Sequence, residues 1–189
     1  MPRPFSDYTE QFFWSFKRMD NANYNFEIVE VLYKAKRENG GDRHFNKPII
    51  LHLMAIIECT LYDFFDRARQ FTSDPFPNIA AQTVDDLRAM KETDELKRLL
   101  PEFEAKNVLA APAGSTIYTD LEHLRIIRNR IHVQNRYNSL SADEINVFTD
   151  AKLRLAQECF EKVCEALCNV YPRWNKQPLP MADFPRPWL

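Results

Sequence analysis

Residues 124–132 read Leu124-Arg125-Ile126-Ile127-Arg128-Asn129-Arg130-Ile131-His132. On a helical wheel of about 100° per residue, the apolar side chains around this run form one stripe centred on Leu124. The other members of the stripe are Ile117, Leu121, Ile127 and Ile131. Arg128 lies about 40° from the centre of the stripe, whereas His132 and Arg125 lie at about 80° and 100°. Because an arginine is rarely buried without a partner for its charge, the run predicts a core-facing helix that carries a paired or functional cation.

The composition of the whole chain also favours a helical protein. The chain has 189 residues, 45% of them hydrophobic and 13% aromatic, which is enough for one core in a single domain spanning 1–189. Only 3 glycines occur, too few for the turns of an all-β protein or for a glycine-rich phosphate loop. The net charge of -2 gives no overall attraction to nucleic acid, so any nucleic-acid site must be local.

The apolar and cysteine patterns predict a cytoplasmic protein without membrane association. No apolar run is expected to reach the length of a membrane span, and the N-terminus lacks the apolar region of a signal peptide. Cys159, Cys164 and Cys168 fall on one predicted helix and cannot join distant parts of a fold by disulfides. Burial in the core is favoured over a metal site for them, so we expect neither a metal nor a cofactor.

The order of apolar-periodic segments predicts an all-α fold. The predicted helical segments are 7–38 with a break near 20–23, 46–68, two pieces within 83–109, 116–136, and a last helix that a capping box at 141–144 begins. They indicate a four- to five-helix bundle over about 7–171 with a short helical insert. The proline-rich tail at 172–189 is expected to be extended, with its aromatic side chains docked on the bundle.

The run from Arg128 to His132, late in such a bundle and after a long helix that contains Glu58, resembles the HEPN superfamily. Its members are small helical-bundle domains, commonly dimeric, and many are metal-independent endoribonucleases of toxin–antitoxin, anti-phage or RNA-processing systems. Their motif is an arginine, a polar residue, and a histidine after four to six intervening residues. Arg128-Asn129 supplies the first pair, but only three residues separate Arg128 from His132; Arg125 has the longer spacing.

The resemblance implies a role for each residue of the motif. His132 is the expected catalytic base or acid, since a neutral imidazole can accept the proton of a 2′-hydroxyl. Arg128 is the expected catalytic contact to the scissile phosphate, because a guanidinium stabilises charge that develops there. Arg125 would be a second phosphate contact, and Asn129 would orient the backbone or the phosphate. Glu58, at about 100° from the apolar centre of its helix, is expected to pair with Arg128 or Arg125 across the bundle.

The resemblance implies three kinds of partner: RNA or a nucleotide phosphate, a second copy of the chain in a homodimer, and an antitoxin-type protein. Because the spacing between Arg128 and His132 is short, a non-catalytic module that binds nucleotide, RNA or protein is an alternative. In a third interpretation Arg128 and Glu58 form a structural pair that holds two helices in register. An enzyme requires His132 and Arg128 to line a cleft that solvent can reach, near a two-fold axis if the dimer forms as the resemblance implies. Complete enclosure of both by apolar side chains would exclude catalysis.

Two further runs have an ordinary structural interpretation. The aromatic run Phe12, Phe13, Trp14 and Phe16 could offer base-stacking platforms, but packing against the bundle or a dimer partner is favoured because of its helical spacing. The mixed acidic and basic run at 91–98 is typical of a solvated helix face.

Overall fold

The computed structural model describes residues 2–70, 81–90, 95–131, 143–173, 176–177 and 179–189. Over these residues the chain is helical and contains no strand, so the predicted all-α helical bundle is confirmed. The helices are α1 (Phe5–Phe12), α2 (Phe16–Glu38), α3 (Asn46–Gln70), α4 (Ala81–Ala89), α5 (Leu96–Ala105), α6 (Ile117–Arg128), α7 (Glu144–Val147) and α8 (Asp150–Val170). The short helices α4 and α5 correspond to the predicted insert.

Helix α3 lies at the centre of the bundle and contacts α2, α4, α6 and α8. Its buried apolar residues recur every three or four positions, which gives the helix a broad core face. These residues include Ile49, Ile50, Leu53, Ile57, Leu61 and Phe64. Pro48 is tolerated because it lies in the first turn, where its missing N–H would have no partner within the helix. The predicted start and end of this helix agree with the structure to within two residues.

The segment Arg43–Gln70 is long and apolar enough to cross a membrane by length and composition, although the sequence was not expected to contain such a run. Of the 18-residue apolar stretch within this segment, 61% is buried inside the bundle. Core helices of soluble proteins have the same length and composition, so this helix is weak evidence for a membrane span.

The first helical region is broken at residues 13–15, and the predicted break near 20–23 is wrong. Helix α2 begins at Phe16, where the Ser15 hydroxyl caps it by accepting a hydrogen bond from the backbone N–H of Arg18, and it continues without interruption to Glu38. The carboxylate of Asp63 on α3 accepts the backbone N–H groups of Trp14 at 2.6 Å and Ser15 at 3.0 Å. A distant carboxylate therefore stabilises the non-helical junction.

The last helix is divided, whereas the sequence predicts one continuous helix from the capping box onwards. Helix α7 has only four residues and ends before Phe148, which is buried. The side chain of Thr149 then accepts the N–H of Lys152 at 3.3 Å and caps α8. Helix α8 therefore begins with a cap of its own.

The C-terminal tail docks on the bundle, as predicted. The ring of Phe184 is buried and packs on Tyr8 and Phe160, with centroid distances of 4.9 and 5.7 Å. The indole of Trp188 donates a hydrogen bond to Glu161 at 3.1 Å. The described buried apolar residues form one cluster that extends from α1 to Phe184.

Candidate functional site

The end of α6 presents the arginines of the predicted motif at the edge of its buried face. Leu121, Leu124 and Ile127 are fully buried and fix this face against the bundle, where α6 contacts α3, α5 and α8. Arg125 and Arg128 both lie in the last turn of the helix, three residues apart and on the same flank. Their cations also face the negative end of the helix dipole, which favours positive charge at this position.

Arg128 and Glu58 form an ion pair between α6 and α3, as the sequence predicts. The guanidinium donates through Nη2 to Oε1 of the carboxylate. The Glu58 side chain is 15% exposed, whereas Arg128 is 34% exposed. A guanidinium has five N–H donors, and Glu58 is its carboxylate partner among the described residues. Further donors of Arg128 therefore remain for a ligand that arrives from solvent.

Arg125 pairs within its own helix and does not reach Glu58. Its Nε donates to one carboxylate oxygen of Glu122 at 2.6 Å, and its Nη2 donates to the other at 2.7 Å. These hydrogen bonds and the positive charge of Arg125 hold the pKa of Glu122 below its ordinary value. The Arg125 side chain is only 12% exposed, so this bidentate pair fixes the guanidinium at the wall of the site.

A cleft of about 280 Å³ brings Arg125, Arg128 and Asn129 together between α3, α5 and α6, and we name it the arginine cleft. Its lining consists of Tyr62, Glu95, Leu96, Lys97, Arg125, Arg128 and Asn129. Lys97 belongs to the charged run that the sequence predicts to be an ordinary solvated face. On the helical wheel it lies about 100° from Leu96, on the flank of the α5 stripe, which is the position that Arg125 has on α6. That flank position is the signal that could have identified it.

Among the described residues around the arginine cleft, the cations outnumber the carboxylates by one. Each nearby carboxylate has an arginine partner: Glu58 has Arg128, Glu122 has Arg125, and Glu95 has Arg98 at 3.1 Å. Within the described ranges Lys97 forms no ion pair, although its charge, after that of Arg125, contributes to the lowered pKa of Glu122. Its ammonium is therefore the side chain best placed to attract an anion into this cleft.

Two histidines bear on the site. His132, the predicted base or acid, lies outside the described residues. His123, also on α6, is half-buried on a different side of the helix, where burial and the charge of Lys152 on α8 lower its pKa. His123 does not line the arginine cleft.

The three cysteines of α8 are core residues, as the sequence predicts. Cys159, Cys164 and Cys168 are at most 1% exposed, and burial raises the pKa of Cys159 and Cys168 to about 12. Such thiols stay protonated and are poor metal ligands at neutral pH. In the part of the chain that the structure describes, no group of three or more His, Cys, Asp or Glu side chains could hold a metal ion.

Comparison of the chain with family models, with curated proteins and with solved structures finds no match. The interpretation of the arginine cleft therefore depends on its geometry and on the residues that line it.

Proposed function

We propose that the protein is a metal-independent endoribonuclease of the HEPN type and that the arginine cleft holds the scissile phosphate. The observation that carries the proposal is that Arg125, Arg128, Asn129 and Lys97 line one solvent-accessible cleft. Charged and amide N–H donors that converge on an open cleft are suited to bind the oxygens of a phosphate group.

Arg128 is suited to contact the phosphate because its guanidinium is oriented but not enclosed. Glu58 fixes one Nη atom, and the 34% exposure of the side chain leaves the rest accessible to a ligand. Because this donor is already oriented, its side chain needs little rearrangement when negative charge develops on the phosphate oxygens. Lys97 would add a second positive charge from α5, and Asn129 a neutral amide at the first position after α6.

The cleavage step assigned to this site needs no metal. The 2′-hydroxyl oxygen attacks the phosphorus, the bond to the 5′ oxygen breaks, and a cyclic phosphate and a 5′-hydroxyl result. His132 would accept the proton of the 2′-hydroxyl, since an unperturbed imidazole titrates near pH 6.5. The leaving 5′ oxygen must take up a proton, which the same imidazolium can return.

The second candidate is a non-catalytic module that binds a nucleotide or RNA end through the same cleft. The tight pair between Arg125 and Glu122 favours it, because a guanidinium with two carboxylate hydrogen bonds gives less help to a transition state. As the family resemblance implies, we further propose that the chain is a homodimer with an antitoxin-type protein partner. Light scattering after size-exclusion chromatography tests the dimer: a mass near twice 22.3 kDa is expected, and a monomer overturns it.

The proposed nuclease is tested by RNA cleavage in excess EDTA, with variants whose fold is verified by circular dichroism. We expect cleavage by the wild type and its loss in His132→Ala. Arg128→Ala should lower the rate about 100- to 1,000-fold, as for other lost transition-state donors. Lys97→Ala should weaken RNA binding several-fold and make it less dependent on salt.

The matched controls for this assay are Arg154→Ala and Lys34→Ala, which remove exposed cations of α8 and α2 outside the cleft. Both should cleave RNA like the wild type. If no RNA is cleaved but Arg128→Ala and Lys97→Ala alone lose RNA binding, the protein is the binding module. If the cleft variants and the controls behave alike in both assays, the arginine cleft has neither role.

A further inference from the structure

A second cleft, of about 760 Å³, lies at the junction of α1 and α2. We name it the aromatic cleft; the residues that matter here are Trp14, Phe16, Lys17, Arg18, Asp66 and Arg173. The aromatic run of residues 12–16 is partly buried in the core and partly exposed at this cleft. Phe12 and Phe13 are buried in the core, as predicted, whereas Phe16 is 72% exposed and Trp14 is half-buried at the cleft.

Phe16 is not part of the apolar core that the described residues form. It is the first residue of α2, and an exposed phenylalanine loses apolar contact that the core could have provided. Trp14 already has the guanidinium of Arg173 over its ring, at 5.7 Å from the centroid. Phe16 is therefore the aromatic surface of this cleft that is open to a planar ligand.

Among the described residues that line the cleft, three cations face two carboxylates, so one positive charge is in excess. Arg18 lies 2.5 Å from Asp66 and 3.7 Å from Asp63, and it compensates one of these two negative charges. Arg173 and Lys17 have no carboxylate within ion-pair distance in the described part of the chain. The Nε of Arg173 is buried without a hydrogen-bond partner, so this guanidinium has unused hydrogen-bonding capacity. The N-terminus of α2 adds its partial positive charge at the same place.

We propose that the aromatic cleft binds a nucleotide, whose base stacks on Phe16 and whose phosphate contacts Lys17 and Arg173. A stacking ring beside a positive charge in excess is the combination by which proteins hold unpaired bases and their phosphates. The Asp66 carboxylate, 25% exposed, offers an acceptor for a ribose hydroxyl. This site is separate from the arginine cleft, so binding here does not depend on the proposed nuclease activity.

Isothermal titration calorimetry of the full chain with AMP, adenosine and inorganic phosphate tests the site. We expect AMP to bind more tightly than adenosine or phosphate, because it uses both the ring and the cations. Phe16→Ala should weaken AMP about tenfold, as for the loss of one base–aromatic stack. Arg173→Gln should weaken AMP but leave adenosine unchanged.

The control is Tyr24→Ala, which removes another exposed aromatic ring of α2, 63% exposed, that does not line the cleft. It should bind AMP like the wild type, and the Phe16-sensitive binding should persist in Arg128→Ala even if no RNA is cleaved. Equal affinity for AMP in Phe16→Ala and Tyr24→Ala, or no AMP binding by the wild type, overturns the proposal. An adenylate pentamer that binds at least tenfold more tightly than AMP identifies RNA as the source of the base. Equal affinities identify a free nucleotide, and either result supports the site.

Discussion

Arg67 on α3 and Arg128 on α6 both lie among apolar residues, but their surroundings differ. Arg67 is 0% exposed and donates to the backbone carbonyls of Tyr171 at 3.0 Å and Pro172 at 3.4 Å. Arg128 is 34% exposed, lines a cleft, and is held by one carboxylate. The first guanidinium joins α3 to the end of α8, whereas the second leaves donors accessible to solvent. An arginine on an apolar stripe thus predicts that its guanidinium has a hydrogen-bond or ion-pair partner. The exposed fraction of the side chain then distinguishes a structural role from a ligand-binding role.

The largest effect is expected for Arg67→Met, which keeps the length of the side chain and removes its charge. Two buried carbonyl groups lose hydrogen bonds from a charged donor, each worth about 1.5–3 kcal/mol. We expect the free energy of unfolding, measured by urea denaturation, to fall by about 3–5 kcal/mol. Arg98→Met, at a 65% exposed position of α5, is the control and should change it by less than about 0.5 kcal/mol. Equal effects of the two substitutions would mean that Arg67 is not structural.

Asp63→Ala is expected to have the second largest effect. Asp63 is 2% exposed, and its removal leaves the N–H groups of Trp14 and Ser15 without their acceptor. Unsatisfied buried donors cost about 1–3 kcal/mol each, so we expect a loss of about 2–4 kcal/mol in the free energy of unfolding. Part of this loss is offset because burial raises the pKa of Asp63, which makes its charged form costly. A change below about 0.5 kcal/mol would show that the α1–α2 junction has another support.

Glu58→Gln should change RNA binding and cleavage more than it changes the stability of the fold. Removing one negative charge beside the arginine cleft should make the binding free energy of a phosphate more favourable by about 0.5–1 kcal/mol. RNA affinity should therefore rise about two- to fivefold. The cleavage rate should fall because Arg128 loses the carboxylate that orients it. Glu158→Gln, an exposed position of α8, is the control and should change neither quantity. Filter binding and single-turnover cleavage measure the two effects, and weaker RNA binding by Glu58→Gln would count against a phosphate in the cleft.

The smallest effect concerns Glu122 and depends on pH. Because Arg125 lowers the pKa of Glu122 in the folded state below its unfolded value near 4.5, the carboxylate stabilises the fold above that pH. The contribution is lost as the pH falls through the folded-state pKa. The side chain is 41% exposed, so we expect at most about 0.5 kcal/mol between wild type and Glu122→Gln at pH 7, and less at pH 3. Urea denaturation at both pH values measures this difference in the free energy of unfolding. A larger difference at pH 3 than at pH 7 would contradict the prediction.

The long helices and one ion pair could be predicted from the sequence because they depend on local periodicity. The apolar spacing of α3 gave its limits, and the positions of Glu58 and Arg128 on their helices indicated that the two could meet. The break before α2 could not be predicted, because it depends on Asp63, 48 residues away from Ser15. The flank position of Lys97 on α5 is a local signal for its place at the cleft, but the packing of α5 against α6, which forms the cleft, could not be predicted from α5 alone.

Arg128→Ala most directly separates a ligand-binding role of Arg128 from a structural role like that of Arg67 when both RNA cleavage and stability are measured. Metal-free RNA cleavage should fall at least about 100-fold. The free energy of unfolding should change by only about 1 kcal/mol, as for a partly exposed ion pair. A loss of about 3–5 kcal/mol in stability, as for a broken buried pair, together with unchanged RNA cleavage and binding would contradict a ligand-binding role for Arg128.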